Sequence, residues 1–251
     1  MKDLKEIMLQ IELHSPEGIR ECFKKGISAN EPCNGRPLFY ELLGEYTRTP
    51  RFKDCVRMFI DYGLEFENKT LLGVLADYPE FLETLLSVHP DEAHRHVSLP
   101  CSYTPMYEVS LLHVCAEFNH IDSAKVLVKH GADINAKAGA DENGFGGHTP
   151  IFHTVNQNSN NSEEMLNFLL EKGADLDITV KGLIWGKGYE WETFIPAVNP
   201  LSYAMMGLLP QMHRDEVVIA KIIEILMKKK FGTGYTPKNV PNKYLGNERR
   251  G

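Results

Sequence analysis

Cysteine is scarce in this chain and shows no pattern. The five residues, Cys22, Cys33, Cys55, Cys101 and Cys115, are an odd number with no Cys-x-x-Cys spacing. That scatter argues against a disulfide framework and fits a reducing compartment. Positive charge is also short: 27 Lys and Arg face 34 Asp and Glu, a formal net charge of −7. A general nucleic-acid binder needs a positive field, so the chain as a whole is a poor candidate for that role. No apolar run approaches a membrane span, and the opening Met-Lys-Asp-Leu-Lys-Glu has no apolar signal core. The expectation is a cytoplasmic protein with no membrane association.

Signatures of chemistry are missing as well. The stretch Gly182 to Lys187 resembles a phosphate loop, but it has one intervening residue too few, and Gly188 stands where a magnesium-binding hydroxyl belongs. His94 and His96, with Cys101 and His113 following, form the densest metal-like cluster, yet the spacing matches no zinc pattern. No nucleophile elbow occurs. Glu190 and Glu192 flank Trp191 and would share one side of a strand, which makes a carboxylate pair conceivable. Solvated glutamates on a ribbon are the ordinary reading. No enzyme, no cofactor and no metal is expected.

What the chain has is internal repetition. Ser110-Leu111-Leu112-His113-Val114-Cys115-Ala116 is followed by Leu127-Val128-Lys129-His130-Gly131-Ala132-Asp133-Ile134-Asn135. The same grammar returns as Thr149-Pro150-Ile151-Phe152, then Leu169-Leu170-Glu171-Lys172-Gly173-Ala174-Asp175-Leu176-Asp177. A helix start, an apolar pair and a Gly-Ala-Asp turn mark one stacked unit. These residues resemble the ankyrin repeat, with its Thr-Pro-Leu-His-x-Ala signature. In the resembled unit the first-helix Leu precedes the turn Gly by nineteen residues. Leu112 to Gly131 and Ile7 to Gly26 keep that spacing, whereas Leu38 to Gly63 carries six extra residues and Ile151 to Gly173 three.

Two further copies are degenerate. His89-Pro90 replaces the glycine turn after Leu85-Leu86, and Asn199-Pro200 opens a last copy with a helix from about Asp215 to Lys229. The expected fold is an all-α ankyrin-repeat solenoid of about six helix pairs, right-handed in stacking as the resemblance implies. It forms one domain over 1–231, with units near 3–34, 35–68, 69–108, 109–147, 148–198 and 199–231. Ser15, Thr149 and Asn199 each precede a proline and read as helix caps. Gly26, Gly63, Gly131 and Gly173 read as helix stops with positive φ. Beyond 231 a basic tail, 232–251, reads as extended or disordered. From Lys228 onward the chain carries +6, leaving −13 on the remainder.

Two insertions depart from a plain array. Residues 136–148 hold Gly139, Gly144, Gly146 and Gly147 and read as a flexible loop without regular structure. Residues 178–198 read as a β-hairpin turning around Gly186-Lys187-Gly188. The hairpin carries both tryptophans, Trp185 and Trp191, with Tyr189 and Phe194. Such aromatics either anchor a partner or pack one side of the ribbon on its neighbours, and the sequence leaves both open. The resemblance implies a second binding surface on the concave side, at Glu117, Phe118, Asn156 and Met206, where Phe118 and Met206 would be exposed.

The reading is a non-catalytic scaffold for protein–protein interaction, monomeric when alone, acting through its concave face and aromatic hairpin. It could serve as an inhibitor or immunity-type antidote of a partner enzyme. A competing reading places a small-molecule or enzymatic site beneath the hairpin, using Trp185, Trp191, Glu190, Glu192 and His153. Nucleic-acid contact through the basic tail is the third.

Overall fold

The structure, a computed structural model, describes residues 4–157, 159–208 and 214–235. Eleven α-helices lie in that span, most of them in antiparallel pairs. α1 (Lys5–Glu12) is paired with α2 (Pro16–Lys24), α3 (Phe39–Gly44) with α4 (Phe52–Asp61), and α5 (Lys69–Leu75) with α6 (Pro79–Val88). α7 (Leu111–Phe118) is paired with α8 (Ile121–Lys129), and α10 (Pro200–Met206) with α11 (Glu216–Phe231). Between these, α9 (Glu163–Glu171) is partnered by a single 3-10 turn, Pro150–His153.

Each pair has an apolar face that it cannot bury alone, so like elements stack. α1 packs on α3, α5 on α7 and α7 on the 150–153 turn; α2 packs on α4 and α6 on α8. One buried apolar seam results, running from Ile7 through Phe39, Leu75, Leu112, Ile151 and Leu169 to Leu226.

Local signals act where they stand in the chain. Ser15 accepts from Gly18 N at 3.2 Å, and Asn199 accepts from Ser202 N while Ser202 Oγ receives Asn199 N. Asp215 caps α11 through Val217 N and Val218 N. Gly26, Gly63, Gly131 and Gly173 end their helices at φ of 97°, 84°, 88° and 91°. Thr149 is extended ahead of Pro150, but its side chain makes no cap and the turn stops at His153.

Three departures from expectation stand out. The fold is largely helical but not all-α: besides the expected hairpin, the described residues hold two further two-stranded antiparallel sheets. β1 (Pro32–Cys33) pairs with β2 (Arg36–Pro37), and β3 (His96–Val97) with β4 (Val109–Ser110), both at the turns between helix pairs. The third is the long hairpin, β5 (Val180–Trp185) with β6 (Thr193–Val198), in register from Val180↔Val198 to Trp185↔Thr193. Its turn spans 186–192, wider than the Gly-Lys-Gly reading suggested. Segment 136–148 is an ordered turn, not a structureless loop. Ala140 bridges to Gly146, Asp141 Oδ1 accepts from Asn143 N and Phe145 N, and Gly146 N donates to Gly182 O in β5. Its glycines supply positive φ at 144, 146 and 147 and so permit the turn. The reading of 232–251 as a basic tail falls mostly on residues outside those described.

Adjacent turns are tied by the same device at two junctions. Asn30 Nδ2 donates to Gly63 O and its Oδ1 accepts from Glu65 N; Asn135 Nδ2 donates to Gly173 O and its Oδ1 accepts from Asp175 N. Each asparagine lies four residues after its own turn glycine and reaches the turn of the following pair. Asn135→Ala removes both bonds, which join partly solvated groups, and is expected to lower unfolding stability by about 1–2 kcal/mol. A urea midpoint unchanged by Asn135→Ala would contradict the clip.

Candidate partner-binding site

Three connecting segments and the hairpin converge on one side of α7. The six residues added between α3 and α4 bring Arg48 against it. The stretch before β4 supplies Cys101, Ser102, Tyr103 and Thr104, and the connection into α11 supplies Arg214. Alternation along the hairpin buries Leu183, Trp185 and Ile195 and turns Phe194 outward.

At the hairpin tip, Tyr189 and Trp191 stack with ring centres 4.5 Å apart, and they remain 37% and 43% exposed. The stack is held from below: Trp191 Nε1 donates to Ser102 O at 3.3 Å, and Tyr189 Oη lies 3.1 Å from Ser102 Oγ, whose own proton goes to Gly44 O at 2.7 Å. Ser102 is itself buried, and Gly186 N is fixed on Tyr103 O at 2.9 Å. Aromatic rings that are rigid, half exposed and cheap to immobilise are suited to anchoring a partner. Phe194, half exposed, lies 4.6 Å from Phe145 of the 136–148 turn.

Beneath the hairpin side of α7 lies a charged network. Arg48 Nε donates to Glu117 Oε1 at 2.8 Å, and His153 Nδ1 contacts Glu117 Oε2 at 2.8 Å. Arg48 also donates through Nη1 to the carbonyls of Glu45 and Thr47. Burial alone would raise the Glu117 pKa. The Arg48 charge and the His153 hydrogen bond outweigh it and hold the carboxyl down to about 2. Burial pushes the neighbouring Cys101 thiol up to about 12, so it is a thiol and not a nucleophile at neutral pH. Gln157 Nε2 donates to the carbonyls of Ala116, Glu117 and His153, satisfying the end of α7.

The expected concave-face contacts are therefore rearranged. Phe118 is buried, stacked on Phe52 at 4.0 Å with the Arg48 guanidinium 5.0 Å from its ring. Glu117 and Asn156 are buried too, the latter accepting from Arg214 Nε and donating to Tyr203 O at 3.0 Å. Met206 is half-buried against the core. For Glu117, Phe118 and Asn156 the cause is shared: Arg48 and Arg214, from the connecting segments, cover the face that a plain array would leave open. Trp185 is core, stacked on Tyr103 at 5.7 Å, while Tyr189, Trp191 and Phe194 keep solvent access.

The constellation considered for catalysis does not assemble. Glu190 and Glu192 are exposed on the turn, where Glu192 accepts from Gly188 N, and His153 is buried against Glu117. Among the described residues no three His, Cys, Asp or Glu are placed to hold a metal ion, and no helix is long and apolar enough to cross a membrane. Arg48, Ser102, Tyr103 and Arg214 were not singled out by sequence. The six-residue spacing anomaly after Leu38 was the available signal for Arg48.

Stacked helix pairs with glycine turns and an asparagine clip define a helical-repeat protein. Residues 74–180 match the family model of ankyrin repeats in three copies. A segment of 67 residues is 40% identical to the NF-kappa-B inhibitor cactus of Drosophila yakuba, and equally to that of Drosophila melanogaster. The alignment takes in 27% of this chain and 12% of each of those relatives. Ankyrin repeats point to protein–protein interaction.

Proposed function

We propose that the chain is a non-catalytic scaffold that docks a protein partner on the Tyr189–Trp191 stack and the neighbouring Phe194. The repeat array in this reading runs through all six helix pairs, beyond the matched stretch. The observation that carries it is a pair of half-exposed stacked rings whose polar atoms are both anchored to the buried Ser102. Trp185, Phe118, Glu117, Asn156 and Met206 then support the docking face from within. The finer reading is an inhibitor or antidote that covers a partner enzyme. The word inhibitor in the name of the two relatives supports it, though over a short shared segment. The five free cysteines suit a reducing, cytoplasmic setting.

The test is affinity capture from native lysate, identification of the captured protein, and titration of that purified protein. Trp191→Ala is expected to weaken the complex about thirtyfold, the scale of an interface hot spot, with helical circular dichroism retained. Equal affinity for Trp191→Ala and Tyr189→Ala would remove the hairpin from the interface. A partner with no enzymatic activity would dismiss the inhibitor reading and leave the scaffold.

A further inference from the structure

A cavity of about 410 Å³ opens between the connecting segments, lined among others by Arg48, Tyr103, Glu117, Asn156, Gln157 and Arg214. Its two arginines are in opposite electrostatic states. Arg48 faces a carboxylate and uses its donors on Glu117 and backbone carbonyls. Arg214 is only 9% exposed and has no carboxylate partner among the described residues. Its Nε donates to both Asn156 O and Asn156 Oδ1, and its guanidinium carbon sits 4.5 Å from the Tyr103 ring centre and 5.6 Å from that of Trp185. Those contacts fix the plane of the fork. Its Nη2 is buried without a hydrogen-bond partner.

A cation at that depth with an idle donor is costly unless an anion meets it. We propose that this cavity binds an oxyanion, a carboxylate or phosphate group, at the Arg214 guanidinium. The planar fork is preorganised by two aromatic faces and by Asn156, so an anion in the cavity would meet donors already fixed in direction. Arg48, although paired, adds positive potential, and Gln157 and Tyr103 complete a polar wall. The net charge of −7 makes indiscriminate anion binding elsewhere unfavourable, so a response to anions reports a local site. The oxyanion could be a free metabolite or an acidic group of the docked protein; the chemistry at Arg214 is the same.

The test titrates the purified full chain with sodium phosphate and with succinate, with sodium chloride at matched ionic strength as the blank. Binding by the native state alone is expected to raise Tm by about 3 °C or more at tens of millimolar, saturably, over the chloride blank. Arg214→Gln is expected to abolish the rise, and Arg214→Lys, which keeps charge but loses the fork, to reduce it. Trp191→Ala is expected to leave it intact, which separates this site from the docking surface. The chain has two tryptophans, so two indole N–H resonances report directly even if Arg214→Gln fails to fold. The Trp185 resonance is expected to shift with phosphate while that of Trp191 moves less. A flat response to both anions, or one that survives in Arg214→Gln, overturns the proposal and leaves Arg214 a clamp between the last two helix pairs. If the anions bind the chain alone but do not compete with its protein partner, the free-metabolite source is the one supported; competition supports the acidic group of the partner.

Discussion

Glu117→Ala is expected to lower unfolding stability by about 3–5 kcal/mol, because it strands Arg48 as a buried, uncompensated charge. The guanidinium would keep its carbonyl contacts at Glu45 and Thr47 but lose the carboxylate it is ion-paired with. His153 would lose the acceptor of its Nδ1 as well. A loss of that size is a large share of the 5–15 kcal/mol that holds an ordinary domain together. Glu117→Gln keeps an acceptor and the shape, so it should cost less. The decisive comparison is the double variant Arg48→Met, Glu117→Leu, which removes both charges and is expected to recover most of the loss. Guanidinium unfolding midpoints measure all three. A single-variant loss below about 1 kcal/mol, or a double variant no better than Glu117→Ala, would show that the pair is not the structural tie described here.

That network also marks where sequence reasoning stopped. Helix caps at Ser15 and Asn199, the glycine stops and the hairpin were legible because each depends on residues within a few positions of one another. The burial of Glu117 and Phe118 was not, since Arg48 arrives from 69 positions upstream in the chain. Periodicity names the face of α7 that points away from the seam but says nothing of what covers it. The same holds for Asn156, whose partner Arg214 lies 58 residues later. Trp185 and Trp191 illustrate the point from the other direction. They sit six residues apart on one hairpin, and only strand register sends one into the core and leaves the other at the tip. Glycine content misled at 136–148, because the positive-φ positions that loosen an isolated loop here close a turn that is pinned by Asp141 and β5.

The second large effect is a steep loss of stability in mild acid. Burial, first among the causes, lowers the pKa of His14 to about 4, His120 to about 4 and His148 to about 3, and puts His113 well below its ordinary range. His113 shows why in atoms. Its Nδ1 accepts from Ser110 N and its Nε2 donates to His148 O, so an added proton at Nδ1 would set donor against donor. His148 and His153 lie 5.7 and 5.6 Å from it and disfavour its charge further. Well above pH 6.5 all four rings are neutral folded or unfolded, and they cost nothing. Below it the unfolded chain takes up protons that the folded chain refuses, so stability falls as pH falls from about 6.5 toward the folded values. At pH 5 each ring withdraws about 1–2 kcal/mol. Glu117 works in a separate window, since its stabilisation holds above about pH 4.5 and is lost only as pH drops toward 2. Between pH 7 and 5, then, the histidines act almost alone, and Tm is expected to fall by about 10 °C or more. His120→Gln, which can still meet Val74 O, should flatten part of that slope while lowering stability at pH 7. A Tm that stays level from pH 7 to 5 would mean that these rings are solvated in the native protein, and with them the seam between α7 and the 150–153 turn.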